Sequence, residues 1–335
     1  MTVTGDNRIL IIKLGALGDV VLATPHMRAI VEAYPEAEVT LLTSPACAVL
    51  VQGLPGLEVA VFERRGFAEM WRVLAWLRRR RFAVVFDLQG SLRSRLMTRC
   101  SGARQRIGCR SGFAYTQAPM AGDETIHAFD ALNRMLAVAG IDPSPPQAWL
   151  PVTDTVEAKV TDWLEHHGLA RHRRVLLHAG SSERWPSKRW EEAHFSTLAM
   201  ALAERGYAVI WIGANEDRDL NRRLARQVGM DASGAFSLPE LAALGRRAEF
   251  AVVNDSAPMH ILSASPLPVY ALFGPTDWRR SHGLGQAERV LLNPVACSPC
   301  HRPVCPPGFD HRCLNELTPG KVLARLAEDG WLGSV

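Results

Sequence analysis

Residues 249–277 read EFAVVNDSAPMHILSASPLPVYALFGPTD. The run from Phe250 to Val253 is apolar and bounded by polar residues, which makes it strand-like. Asn254, Asp255 and Ser256 favour helix N-caps and Pro258 suits a first helical turn, so Met259 to Ser265 is expected to complete a short helix. Pro268 to Phe273 forms a second strand, closed by the turn cluster Gly274-Pro275-Thr276-Asp277. Strand, helix and strand in this order build a parallel sheet, and a capped helix start at a strand's carboxyl end is a seat for phosphate. Small side chains at Ser256 and Ala257 leave room for a diphosphate to approach the backbone. The plainer alternative, an Asp that only caps a helix, is about equally common in such turns.

The same alternation extends outward in both directions. Upstream, Arg174 to His178 is a strand closing on Ala179-Gly180-Ser181-Ser182, Lys188 to Arg205 a helix, and Ala208 to Ile212 a strand closing on Gly213-Ala214-Asn215. Glu216 to Gly229 reads as a helix, Arg289 to Leu292 as a further strand, and Pro319 to Leu332 as an amphipathic helix. The first half repeats the pattern. Ile9 to Leu14 is a buried strand, Gly15 to Asp19 a glycine-rich turn, Val20 to Tyr34 a helix with a bend near Pro25, and Glu38 to Thr43 the next strand. Leu57 to Phe62 and Phe82 to Leu88 are strands, and Ala68 to Arg81 is an amphipathic helix with Met70, Val73, Leu74 and Leu77 on one face. Glu124 to Ala139 is helical; a lone histidine there, His127, is read as surface or core. Ile141-Asp142-Pro143-Ser144-Pro145-Pro146 can sustain neither helix nor ladder, which places a linker there and a boundary near residue 150. The fold class is therefore α/β, with residues 1–150 and 151–335 each a Rossmann-like array.

Composition narrows the function. The chain has 335 residues, 47% of them hydrophobic and 21% charged, enough for two globular cores. No apolar run approaches a membrane span, and the first residues lack a basic segment followed by an apolar core, so the cytoplasm is the expected compartment. A net charge of +4 is too mild to argue for nucleic acid. Arginines nevertheless crowd the first half, at 78–81, 93, 95, 99, 104, 106 and 110. Helix ends account for some of them; the rest point to an anionic partner, a phosphorylated saccharide or the anionic face of a membrane. Cys297, Cys300, Cys305 and Cys313 make a C-x2-C-x4-C-x7-C cluster of zinc-like type but non-standard spacing. Free thiols in a Pro-rich loop are preferred over a structural zinc, and no metal is assigned.

Two readings remain open in the first turn. Because Gly15-Ala16-Leu17-Gly18-Asp19 is not GxGxxG, and no acidic residue clearly ends the second strand, a nicotinamide dehydrogenase is a poor fit. Asp19 stands at a strand-to-helix junction, where it either complements the helix dipole or serves as a general base. Lys13 either faces the same crevice or extends to water.

NDSAPMH followed by ALFGPTD resembles the donor-site signature of glycosyltransferase family 9, the heptosyltransferases of lipopolysaccharide core assembly, with Ala257 where the family usually has glycine. GxxGD, DLQGSLRSRL and WPSKRW are similar to family segments and occur in the family's order, so the resemblance spans nearly the whole chain. It implies the GT-B architecture, two doubly wound domains facing across a cleft, in which a C-terminal helix often crosses back to the first domain. It implies an inverting, metal-independent and cofactor-free glycosyltransferase moving heptose from a nucleotide-sugar, ADP-heptose, to a lipopolysaccharide inner-core acceptor. Asp19 then corresponds to the catalytic base, and Lys188 to the cation that meets the departing diphosphate. Ser181, Asp255, Ser256, Ala257 and His260 fall on the donor side, with either Glu216 or Asp217 on the nucleoside. Lys13, Gln89, Arg93 and Arg95 fall on the acceptor side, and peripheral contact with the cytoplasmic face of the inner membrane is a further implication. The alternative is a non-catalytic nucleotide-sugar or glycan-binding protein on the same fold. A zinc-stabilised nucleic-acid binder is not expected.

Overall fold

The structure is a computed structural model and describes residues 8–63, 66–120 and 125–332. Residues 1–7, on which the expectation about a leader segment bears, and Glu124, the first residue of one expected helix, lie outside the described residues. The chain divides into two compact units, Met1–Pro151 and Val152–Val335.

The first unit is built on five parallel strands, β1 (Arg8–Ile12), β2 (Glu38–Thr43), β3 (Leu57–Val61), β4 (Val84–Asp87) and β5 (Gln105–Gly108), in the order β3-β2-β1-β4-β5. Ile9 pairs with Val39 on one side and Val84 on the other, so β1 is central. That explains its unbroken apolar run: both faces of a central parallel strand are covered, and Leu10, Ile11 and Ile12 are fully buried. The helices are α1 (Leu17–Ala33), α2 (Pro45–Val51), α3 (Gly66–Arg80), α4 (Leu92–Cys100) and α5 (Ala128–Val138). α1 continues through Pro25 as one helix. The Pro-rich segment is pinned along it, with Ser144 Oγ donating to the Pro25 carbonyl and the Trp149 amide donating to Thr24 Oγ1.

The second unit has six parallel strands, β6 (Arg173–His178), β7 (Tyr207–Trp211), β8 (Met230–Asp231), β9 (Phe250–Asn254), β10 (Val269–Phe273) and β11 (Val290–Leu292), in the order β11-β10-β9-β6-β7-β8. Its helices are α6 (Asp154–His166), α7 (Glu192–Glu204), α8 (Arg218–Ala225), α9 (Leu238–Gly245), α10 (Ala257–Leu262), α11 (Trp278–Ser281), α12 (Arg312–Asn315) and α13 (Pro319–Glu328). α13 packs on α7 and buries Val322 and Leu326 in this unit's core.

Both units are doubly wound and Rossmann-like, the two α/β arrays expected from the sequence. In each sheet the strand order reverses once, between β1 and β4 and between β6 and β9, and the carboxyl ends flanking such a reversal are where this fold binds ligands. Several local expectations differ from the structure. The helix expected from Lys188 starts only at Glu192, because Pro186–Lys188 form a single 3-10 turn and the Trp190 amide is drawn aside to donate to Asn254 Oδ1. The helix expected from Glu216 likewise begins as a 3-10 turn at Asn215–Asp217 and stops at Ala225.

Candidate functional site

In the second unit, one buried amide organises the reversal point. Asn254 ends β9 with no exposed surface, and its Nδ2 donates to the carbonyls of Ala179 at 2.9 Å and Gly180 at 3.1 Å, beyond β6. Its Oδ1 accepts from the Trp190 amide at 3.1 Å. The loop after β6, the segment after Lys188 and the start of α10 are therefore fixed to one another, since each bond replaces a hydration that burial removed.

Lys188 and Asp255 meet there, Nζ to Oδ2 at 2.8 Å, with the carboxylate only 6% exposed and the lysine 20%. Thr276 Oγ1 donates to the same oxygen at 2.5 Å. Asp255 is thus engaged by side chains from two other segments and does not cap α10; the N-cap is Ser256, whose side chain makes no capping bond. α10 has six residues, so its dipole is short and the cation at Lys188 is the stronger anion-attracting element. Ala257 is not among the described residues with positive φ, so alanine occupies this position without backbone strain.

A second chain of contacts runs through His178, which is buried at the end of β6. Its Nδ1 lies 3.1 Å from Ser256 Oγ and its Nε2 lies 3.6 Å from Asp217 Oδ2. Asp217 Oδ2 also accepts from the Ala214 amide at 3.0 Å. Burial opposes ionisation at Asp217, but the hydrogen bond and charge of His178 outweigh it, and the carboxyl lies below the ordinary range. The carboxylate fits because Gly180 and Gly213 lack side chains: a Cβ at Gly180 would stand 2.0 Å from Asp217 Oδ1. Neighbouring Glu216 is exposed. Ser181 is held by Arg189, whose Nε donates to its hydroxyl at 3.2 Å and whose Nη2 donates to its carbonyl at 3.1 Å. His260 is buried on α10.

In the first unit the reversal point has a similar brace. Gln89 Oε1 accepts from the amides of Leu14 at 2.9 Å and Gly15 at 3.2 Å, tying the exits of β4 and β1. Lys13 is buried and donates to the Leu88 carbonyl at 3.2 Å, so it neither reaches water nor stands as a free cation. Asp87, with no exposed surface, accepts from the amides of Gln89 and Gly90 and from the Tyr115 hydroxyl at 2.7 Å. Burial pushes its pKa up in spite of those donors. Arg95 lies beside the Tyr115 hydroxyl, and Arg93 is exposed. Asp19 is exposed, and its Oδ2 accepts from the Ala16 amide at 3.3 Å, a cap at the head of α1. Beside it lies a depression of about 510 Å³, lined by Gly15, Ala16, Ser44, Cys47 and Glu63 at the exits of β1, β2 and β3.

His178, Thr276 and Tyr115 were not singled out from the sequence. The first two follow the apolar runs of β6 and β10, and a polar residue at a parallel strand's carboxyl end is a signal that would have found them. His127 proves to be buried; its Nδ1 accepts from the Phe129 amide at 3.1 Å as the N-cap of α5.

Among the described residues no three His, Cys, Asp or Glu side chains are grouped so as to hold a metal ion. The seven cysteines are free thiols, and Cys297, Cys300, Cys305 and Cys313 line one cavity of about 250 Å³. Burial, then the neighbouring thiols, push the Cys313 pKa up to about 11. No helix among the described residues is long and apolar enough to cross a membrane.

Comparison with known proteins places this geometry in context. The chain is 24% identical over 343 residues to lipopolysaccharide heptosyltransferase 2 of Escherichia coli K12, covering 95% of this chain and 97% of that one. Its fold matches the crystal structure of the glycosyl transferase family 9 protein from Veillonella parvula, with a TM-score of 0.80, 21% identity and 96% coverage of both chains. It also matches the E. coli ADP-heptose LPS heptosyltransferase II, with a TM-score of 0.74, 22% identity and coverage of 96% and 98%. The model for glycosyltransferase family 9 (heptosyltransferase) matches residues 70–308. The chain belongs to glycosyltransferase family 9 and is, by that membership, a glycosyltransferase.

Proposed function

We propose that the protein transfers heptose from ADP-heptose to an inner-core lipopolysaccharide acceptor by a single inverting displacement. The observation that carries this reading is the Lys188–Asp255–Thr276 cluster at the reversal point of the second sheet, a cation placed where this fold receives a diphosphate. On donor binding, Lys188 Nζ turns from Asp255 to the diphosphate, while the Thr276 hydroxyl remains on Asp255 and limits the cost of leaving that carboxylate buried. Glu216, exposed, takes the nucleoside hydroxyls, since Asp217 is already committed to His178 and the Ala214 amide.

The acceptor hydroxyl attacks the anomeric carbon as the bond from that carbon to the diphosphate breaks. Its proton passes to the Asp19 carboxylate, and ADP departs with its growing charge opposed by Lys188. Asp19 is exposed at the head of α1, so an incoming hydroxyl can reach it, and one carboxylate oxygen is oriented by the Ala16 amide. Arg93 and Arg95 meet acceptor phosphates through guanidinium forks. No metal or cofactor enters this scheme.

An acceptor bearing acyl chains brings the enzyme to a membrane. Phe67 and Trp71, one turn apart on α3, are 89% and 72% exposed, and Leu92 on the adjoining α4 is 77% exposed. These exposed apolar side chains, together with Arg93 and Arg99 exposed on α4, suit an anionic lipid surface. A binding protein without turnover is the second reading, favoured only by the capping bond of Asp19. Thermal-shift measurement against ADP, UDP, GDP and their sugars tests the donor: ADP and ADP-heptose should stabilise, and selective stabilisation by UDP or GDP would refute the assignment.

A further inference from the structure

The segment Val295–Cys313, which holds the four thiols around their cavity, grips the residue immediately before Lys188. All three polar groups of Ser187 are taken by it. The Ser187 amide donates to the Pro303 carbonyl at 3.1 Å, its hydroxyl donates to the Arg302 carbonyl at 2.7 Å, and its carbonyl accepts from His311 Nε2 at 2.6 Å. The segment's other side holds the turn before Thr276: Ser298 Oγ donates to the Gly274 carbonyl at 2.5 Å and the His301 amide donates to the Pro275 carbonyl at 2.7 Å. Lys188 and Thr276 share one oxygen of Asp255, so a single irregular segment fixes both of the carboxylate's partners.

Backbone geometry points the same way. Of the four described non-glycine residues with positive φ, three lie in this segment: His301 at 52°, Asp310 at 51° and His311 at 51°. Two of those three make the bonds just named. Asp and His enter the left-handed region more readily than most residues, but three such positions within one short segment form a cluster, and positive-φ residues gather at sites whose geometry matters.

We infer that Val295–Cys313 is a positioning element that acts through Ser187 to set Lys188 against Asp255, and that its thiol-lined interior is a site where reaction with a soft electrophile loosens that setting. N-ethylmaleimide is a suitable probe: a thiol sulfur adds across the maleimide double bond, the thiol proton ends on the adjacent carbon, and the added bulk must be accommodated in a cavity of about 250 Å³. The inference rests on the donor-site reading for its consequence in catalysis, but the geometry can be tested without any nucleotide.

The test is competitive acetylation of the full-length protein read by peptide mass spectrometry, with Lys188 scored against the exposed Lys159 in the same molecule. Lys188 in the wild type should react slowly. His311→Ala and Ser187→Ala should each raise the Lys188 ratio at least fivefold, and His311→Gln, which keeps an N–H donor, should bring it back. Alkylation with N-ethylmaleimide should raise it in the wild type and leave it unchanged once all four cysteines are serine. His301→Gly should have no effect, because the bond there belongs to the backbone and glycine adopts this φ freely. A Lys188 ratio within twofold of wild type in both His311→Ala and Ser187→Ala would overturn the inference, as would a fivefold rise in His301→Gly. Failure of ADP to protect Lys188 in the wild type would instead count against the donor assignment.

Discussion

Replacing Lys188 with alanine removes one cation from two roles, and the structure gives each a separate size. In the free protein Lys188 is the cationic partner of Asp255, a carboxylate only 6% exposed, at 2.8 Å. Breaking a buried pair by deleting one member typically costs about 3–5 kcal/mol, because the remaining charge stays desolvated. The Thr276 hydroxyl still donates to that carboxylate, so the lower end, about 3 kcal/mol, is expected. For a unit of this size that is roughly 6–12 °C in the midpoint of unfolding. In the complex, the lost charge-assisted contact to a diphosphate should weaken ADP binding by roughly 10- to 100-fold. The double variant Lys188→Ala with Asp255→Asn separates the two effects. A neutral amide no longer needs a counter-charge, so at least half of the lost stability should return, while ADP affinity should stay low. Scanning calorimetry and titration calorimetry read the two columns. An unchanged midpoint in Lys188→Ala would refute the buried-pair argument, and recovery of ADP affinity in the double variant would remove Lys188 from the phosphate site.

Asp19→Asn should lower transfer by roughly 10²- to 10⁴-fold, the span usual for a lost general base, with ADP affinity within twofold of wild type. Asparagine keeps an oxygen for the Ala16 amide, so stability should hold, and equal loss of binding and transfer would disqualify the residue as base. His26 is fully buried against Phe129, and burial lowers its pKa from 6.5 to about 4. Because the folded value lies below the unfolded one, the neutral ring's contribution is complete above about pH 6.5 and is lost as pH falls from there towards 4. The loss is on the order of 3 kcal/mol. Denaturant melts of wild type and His26→Phe across that range should differ in slope, and parallel curves would show that another group governs acid sensitivity. Trp71→Ser with Phe67→Ser should weaken sedimentation with phosphatidylglycerol-containing vesicles at least fivefold; undiminished binding would place any membrane contact elsewhere.

Much of the scaffold can be read directly from residue patterns, for identifiable reasons. β1, β6, β9 and β10 are continuous apolar runs because central parallel strands are covered on both faces, and each is closed by small or polar residues where the ligand edge begins. Short elements were harder. β5 (Gln105–Gly108) and β8 (Met230–Asp231) are too brief to show a period, and α2 is a seven-residue helix of small and apolar residues without polar alternation. α9 did carry a readable start, Ser237-Leu238-Pro239-Glu240, in which the Ser237 amide donates to Glu240 Oε2 at 2.8 Å. The site was legible as positions rather than as contacts. Lys188, Asp255 and Asp217 could be placed at strand exits, but the Lys188–Asp255 pair spans 67 positions of the chain and the His178 bridge from Asp217 to Ser256 joins three segments distant in sequence. Ser187 carries no motif value by itself, and its importance arises only from the distant segment that binds it.

The proposed chemistry is tested most directly by supplying the purified protein with ADP-heptose and a heptose-deficient lipopolysaccharide core, and following product by mass spectrometry. One heptose should be added per acceptor with release of stoichiometric ADP, and the Asp19→Asn protein should bind ADP equally well while forming almost no product. Binding of ADP-heptose without any transfer, or transfer that survives the loss of the Asp19 carboxylate, would contradict the account.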